Sequence, residues 1–210
     1  MIGGELEVVA AAGKSEVRLR TNGTKFDDGR LHTLRIIRMH KQLELWVDEE
    51  QLCDGALGGG AMGARPAGLF LGGLREGLHA KVPAKPFKGT LADLIVDAQL
   101  VGLETAVSWS GAQLGRADSA APRAPRAAPP AAHAHTDAAG CTKTSSYTVE
   151  AGAVKFGDSP HSHATLRLPR RARELALTLQ IRTYAHDGLI LLAPGSKAKP
   201  KHFTALLLRE

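Results

Sequence analysis

Pro169-Arg170-Arg171-Ala172-Arg173 places three guanidinium groups in one short segment, and Arg167 lies just before it. Lys197-Ala198-Lys199-Pro200-Lys201 places three ammonium groups in another. The chemistry these residues offer is anion binding. Arginine reads a sulfate in bidentate fashion, and lysine adds a diffuse point charge. Both segments separate strand-like runs, so they read as loops projecting from a sheet edge. The charge balance agrees. Residues 141–210 carry 11 Lys and Arg against 5 Asp and Glu, while residues 1–115 carry 13 against 14 and residues 116–140 carry 3 against 2. The net charge of +6 therefore resides in the last third of the chain, and a concentrated basic face attracts polyanions. In an extracellular setting these are sulfated glycans or acidic lipid head groups. Nucleic acid is the other polyanion to weigh, but no nucleic-acid motif accompanies the charge.

The remaining chemistry-bearing residues point away from catalysis. Among nine histidines, His133-x-His135 and His161-x-His163 are pairs without a third placed ligand, so they read as solvated or capping side chains rather than a zinc site. Asp27 and Asp28, like Glu49 and Glu50, are neighbours in turns, whereas catalytic carboxylate pairs converge from separate elements. No Gly-x-Ser-x-Gly and no Walker loop occurs, and Gly58-Gly59-Gly60 has no helix pattern after it. Asn22-Gly23-Thr24 fits the N-glycosylation pattern and sits in a turn. Cys53 and Cys141 are the only cysteines; they could pair together, pair with cysteines elsewhere in a longer chain, or stay free.

The elements that carry these residues read as short strands. Leu6-Glu7-Val8-Val9, Val17-Arg18-Leu19-Arg20, Leu34-Arg35-Ile36-Ile37, Leu43-Glu44-Leu45-Trp46-Val47 and Leu69-Phe70-Leu71 are separated by Gly-, Asn- or Asp-bearing segments, and a further run spans residues 91–96. Asn22-Gly23 and Asp28-Gly29 are hairpin or turn dipeptides, because these residue types tolerate positive φ. No 3.6-residue period competes, so the pattern predicts a β-sandwich or jelly roll. Residues 116–140 differ: they are rich in Pro and Ala with almost nothing large to bury, and they read as a linker. Strand patterning resumes after Cys141, most clearly where Leu175, Leu177, Leu179 and Ile181 alternate with Ala176, Thr178, Gln180 and Arg182. No apolar run approaches a membrane span. Met1 heads no signal peptide, and residues 5–10 already read as a strand, so the chain is expected to be a fragment of a longer secreted protein.

Order and spacing carry a family resemblance. Phe26-Asp27-Asp28-Gly29-Arg30-Leu31-His32, then Leu43 to Asp48, then Leu69-Phe70-Leu71-Gly72-Gly73, then Pro86-Phe87-Lys88-Gly89 resemble a laminin G-like module. Ala153-Val154-Lys155-Phe156-Gly157 and Ser162-His163-Ala164-Thr165-Leu166 look like the first strand pair of such a module. Leu177-Thr178-Leu179-Gln180-Ile181-Arg182-Thr183 followed by Asp187-Gly188-Leu189 looks like its opening. The resemblance implies an all-β, laminin G-like (concanavalin-type) jelly-roll sandwich. Residues 1–115 would be the C-terminal two-thirds of one module and residues 141–210 the N-terminal part of the next. The order is similar to the junction of the third and fourth G-like modules of a laminin α subunit. Because residues 203–209 would pair next to Gly4-Glu5-Leu6, the two parts are expected to be able to combine into one permuted sandwich.

The same resemblance implies a non-catalytic, secreted module of the basement-membrane matrix that serves cell adhesion. It implies binding to heparin and heparan sulfate, dystroglycan and integrins, with laminin β and γ chains reached through other parts of the parent chain. The glycan-binding residues would be Arg167, Arg170, Arg171, Arg173, Lys197, Lys199 and Lys201, and Asn22 would carry glycan. Two departures are visible. The family's terminal disulfide lacks both halves: Thr90 stands at one cysteine position, and Gly115-Arg116-Ala117 holds none at the other. The turn that carries an acidic ligand in calcium-binding members reads Ala11-Ala12-Gly13, so no cofactor is expected, with calcium reserved for an intact second module. A perlecan- or agrin-like matrix protein is the nearest alternative, but its six-cysteine EGF-like segment is missing. A sandwich-fold lectin or glycan-active enzyme would need convergent carboxylates or a calcium site.

Overall fold

The computed structural model describes residues 3–58, 66, 68–75, 85–115, 152–168, 175–195 and 201–210. These form fifteen strands and one short 3-10 turn, and no α-helix occurs among the described residues. The first part of the chain supplies β1 (Glu5–Ala12), β2 (Ser15–Arg20), β3 (His32–Met39), β4 (Gln42–Val47), β5 (Glu50–Ala56), β6 (Gly68–Leu71), β7 (Gly89–Val96), β8 (Gln99–Leu100), β9 (Ser108–Ser110) and β10 (Ala112–Leu114). The second part supplies β11 (Val154–Phe156), β12 (His163–Arg167), β13 (Leu175–Arg182), β14 (Gly188–Pro194) and β15 (Phe203–Arg209).

The strands make two antiparallel sheets packed face to face, a laminin G-like β-sandwich. One sheet runs β2-β1-β15-β14-β6-β12-β9; the other runs β10-β11-β7-β13-β3-β4-β5, with β8 beside β7. Each sheet mixes strands from both parts of the chain. β13 lies between β7 and β3, and β15 lies between β1 and β14. Period-two patterning explains the packing: Leu175, Leu177, Leu179 and Ile181 of β13 turn inward, and Ala176, Thr178, Gln180 and Arg182 turn away. The inward residues join Leu34, Ile36, Leu91, Phe87, Phe156, Leu191 and Leu206 in one continuous core. In β1, β14 and β15 the alternation disappears, because the outer face of that sheet carries a second apolar cluster around Val9, Leu189, Leu192 and Phe203.

One local expectation needs correction, and another is narrowed. β11 and β12 do not pair with each other. The chain crosses from one sheet to the other between them: β11 pairs with β7 and β10, and β12 with β6 and β9. Ser162 fixes the crossing, because its Oγ accepts from the Gly157 amide at 2.9 Å and donates to the Gly111 carbonyl at 2.5 Å. Asn22-Gly23 and Asp28-Gly29 do form turns, with φ of 82° and 78° at the glycines. Neither is a hairpin, because both lie in the crossover from β2 in one sheet to β3 in the other.

On the outer face of β1, Glu5 takes a 2.5 Å bond from Arg20 Nε and a 2.9 Å bond from the Gly23 amide, and Glu7 takes a 2.8 Å bond from Arg209 Nε. The Gly23 amide first, then Arg20, holds the Glu5 carboxyl below its ordinary value. A depressed carboxyl stabilises the fold above its unfolded-state pKa, and that contribution is lost as pH falls through the folded-state pKa. Glu5→Gln is therefore expected to lower the melting temperature at neutral pH and to flatten its fall on the acid side. Melts recorded between neutral pH and about pH 3, below the usual carboxylate range, check this.

Candidate functional site: a basic end of the sandwich

Register decides where the cations meet. Thr165 of β12 pairs with Phe70 of β6, and Phe70 pairs with Leu192 of β14. Two residues further on, Arg167, Gly68, Pro194 and Phe203 form the last row of that sheet. Lys201 stands two residues before Phe203, and Lys14 sits in the turn where Ala12 meets Ser15. With strands about 4.8 Å apart, Arg167 lies about 14 Å from β15 along this edge. The other sheet ends at the same place. Leu175 opens β13 opposite Arg38 of β3, and the His40-Lys41 turn follows. Arg38 ties the two ends together: it is buried, and its Nη1 donates to Thr204 Oγ1 of β15 at 3.0 Å. Burial pulls the guanidinium below its ordinary value.

Of the seven cations expected to bind anions, Arg167 and Lys201 are described, and both are exposed at this one end. Arg170, Arg171, Arg173, Lys197 and Lys199 lie outside the described residues. Their segments leave and re-enter the fold at Leu168 and Leu175, and at Gly195 and Lys201, all at the same end. Sequence reasoning missed Lys14 and Lys41, which are exposed in the β1–β2 and β3–β4 turns. Their signal was a cation in a two-residue hairpin turn, but only the register shows that both turns share an end with Arg167. None of Lys14, Lys41, Arg167 and Lys201 makes an ion pair among the described residues. Among the described residues the nearby acids include Asp97, which accepts from the Ala176 amide at 3.0 Å, and Glu16, which pairs with Arg18 at 2.6 Å.

The opposite end gathers histidines and carboxylates. His32 contacts Asp48 at 2.7 Å through Nδ1 and Asp28 at 3.1 Å through Nε2, and its ring meets Phe26 edge-on at 5.2 Å. His186 pairs with Asp27. Partial burial would raise the Asp28 carboxyl, but the Arg30 amide and the His32 ring outweigh it and hold the carboxyl low. These are pairwise contacts, and no group of three metal-binding side chains occurs among the described residues. His163 is buried, with its Nδ1 at 2.8 Å from the His161 carbonyl, so it serves local structure; His161 is exposed. His133, His135 and Cys141 lie outside the described residues. Cys53 is a half-buried free thiol, pushed above its ordinary value by burial and by Asp54. Asn22 is exposed in its turn. Thr90 is buried, and its hydroxyl finds no hydrogen-bond partner among the described residues.

Residues 1–99 match the family model of the Laminin G domain, which supports a laminin G-like domain in this chain. No curated protein and no solved structure matches the chain. Laminin G domains are generally non-catalytic modules of extracellular proteins that bind matrix or cell-surface partners. No helix among the described residues is long and apolar enough to cross a membrane.

Proposed function

We propose that this chain is a non-catalytic matrix module of the laminin α type, which holds sulfated glycans at the basic end of its sandwich. The observation that carries the reading is the convergence of Lys14, Lys41, Arg167 and Lys201, and of both ends of the 169–174 and 196–200 segments, at one edge. Arg167, Arg170, Arg171 and Arg173 would clasp sulfate groups, and Lys197, Lys199 and Lys201 would add long-range attraction. Loops on a rigid β scaffold suit a chain-like ligand, because the sheet fixes the spacing of charges that the ligand must match. Heparan sulfate and the glycans of dystroglycan are the partners this edge fits. Integrins would be further partners, and the laminin β and γ chains would be met through other parts of the parent protein. Secretion into basement membrane, glycan on Asn22 and assembly from parts of two neighbouring modules belong to the same reading. The Ala11-Ala12-Gly13 turn offers no carboxylate, so glycan binding here would run on cations without calcium.

Heparin affinity chromatography tests this. Two variants are compared with the parent: Arg170, Arg171 and Arg173 changed to Glu, and Lys14, Arg167 and Lys201 changed to Glu. Both are expected to lose retention at about 0.15 M salt, where exposed charges still attract over about 8 Å. A double reversal at the far end, Arg30→Glu with Lys88→Glu, is expected to elute with the parent. Parent-like retention of both basic-end variants would remove this edge from the function.

A further inference from the structure

The outer face of the second sheet carries a groove that the basic end does not use. Its volume is about 480 Å³, within the usual range for small-ligand sites of about 300–1,000 Å³. A single row in register forms its floor: Trp46 of β4 pairs with Arg35 of β3, Arg35 with Thr178 of β13, and Thr178 with Ile95 of β7. All four side chains turn away from the core, so indole, guanidinium, hydroxyl and alkyl groups lie side by side across four strands. Thr33 and Glu49 complete the polar lining.

Two turns wall the groove at opposite corners, and the same device pins each. Asp48 and Glu49 both have positive φ, of 50° and 72°. Asp48 gives its amide to the Thr33 carbonyl at 2.9 Å and takes the Thr33 amide on Oδ1 at 2.8 Å. Asp97 and Ala98 have φ of 48° and 64°. Asp97 gives its amide to the Ala176 carbonyl at 2.8 Å and takes the Ala176 amide on Oδ1 at 3.0 Å. Walls held this way are in place before a ligand arrives, which lowers the cost of binding.

The lining selects the ligand. The indole N–H of Trp46 is already donated to Glu44 at 2.9 Å, which leaves the ring face as the group on offer. Arg35 is exposed and makes no hydrogen bond or ion pair among the described residues, so its donors are available. Glu49 supplies an acceptor, and Thr33 and Thr178 can do either. Glu49 in the lining and Glu44 beside Trp46 add negative charge near Arg35, so a polyanion gains little here. A lipid chain would leave the Arg35 guanidinium, the Glu49 carboxylate and the two threonine hydroxyls without partners. A pyranose ring presents an apolar C–H face and an edge of hydroxyls, and this arrangement meets both. We propose that the Trp46–Arg35–Thr178 groove binds a neutral saccharide unit, independently of the basic end.

Indole Nε1–H resonances of the full chain report on Trp46 and Trp109 separately. The probes are chitotetraose, laminaritetraose and a di-N-acetyllactosamine tetrasaccharide, each added to several millimolar. At least one is expected to shift the Trp46 resonance, leave Trp109 in place, and bind equally at low and high salt. Arg35→Gln is expected to weaken it by about tenfold, the worth of one well-placed polar contact. Trp46→Ala, checked for folding by its melt, is expected to abolish it. The proposal is overturned if no probe moves Trp46, if Arg35→Gln leaves affinity unchanged, or if added salt or heparin displaces the sugar. The last result would assign binding to charge at the basic end.

Discussion

Residues 3–115 expressed alone are expected to show no cooperative melt, and neither are residues 152–210 alone; refolded together they are expected to give one. The sheet order requires it. Without β13, β7 loses its link to β3, and without β12 and β14 the strand β6 has no neighbour on either side. Fourteen of the 32 buried residues of the main core come from residues 152–210, among them Phe156, Leu177, Ile181, Leu191 and Leu206. At about 1.5 kcal/mol or more for each large side chain, their loss exceeds the whole stability of an ordinary domain, about 5–15 kcal/mol. The bared sheet edges would also invite aggregation. The mixed sample is expected to melt at a temperature that rises with concentration, because folding then includes association. A permuted chain goes further. Glu5 pairs with Arg209, so a short Gly-Ser joint from residue 210 to residue 3, with the chain opened between 115 and 152, is expected to fold as a monomer. Circular dichroism melts at several concentrations measure all of this; a cooperative melt from residues 3–115 alone would contradict it.

Gly72→Ala is expected to be among the most damaging single changes. Gly72 has φ of 72°, which costs an L residue about 1–2 kcal/mol. A Cβ there would also clash with the ring of Phe156, which is 1% exposed and fixed within the core. Overpacking of this kind adds about 1–3 kcal/mol. The backbone cannot move aside, because the Gly72 amide donates to the Ile190 carbonyl and its carbonyl accepts from the Phe87 amide, each at 2.9 Å. A total of about 2–5 kcal/mol corresponds to a fall of about 5–20 °C in a domain of this size. Adding Phe156→Leu is expected to return part of the loss, because the two sites touch. If the double variant melts at or below the sum of the singles, the clash with Phe156 is not the cause.

Gly72 also shows why the short motifs were informative. Leu71-Gly72-Gly73 and Pro86-Phe87-Lys88-Gly89 are far apart in sequence but meet through the Phe87–Gly72 hydrogen bond, so both carry a backbone requirement that side-chain type reveals. β13 was equally legible, since Leu175, Leu177, Leu179 and Ile181 need only a period of two. The mispairing of β11 with β12 arose because neighbours in sequence usually pair, and nothing in residues 157–162 says that the chain changes sheets there. The basic end was half legible. Arg167 and the 170–173 cluster announced themselves by density, but Lys14 and Lys41 join them only through registers linking β1 to β15 and β3 to β13, strands more than 130 residues apart. The Trp46–Arg35–Thr178–Ile95 row was illegible for the same reason. Each of those residues reads alone as the outward half of an alternating strand.

The sharpest test of the shared sandwich is a nuclear Overhauser spectrum of the monomeric chain, read at β13. Its two neighbours come from the other part of the sequence: Leu179 lies opposite Leu34, and Ile181 opposite Leu91. Antiparallel strands bring opposed Cα atoms to about 4.5–5.5 Å, close enough for strong cross-strand contacts. Contacts from residues 175–182 to both 32–38 and 90–96 in one monomer are the predicted result. Contacts to only one of those strands, to neither, or only in a dimer would contradict it.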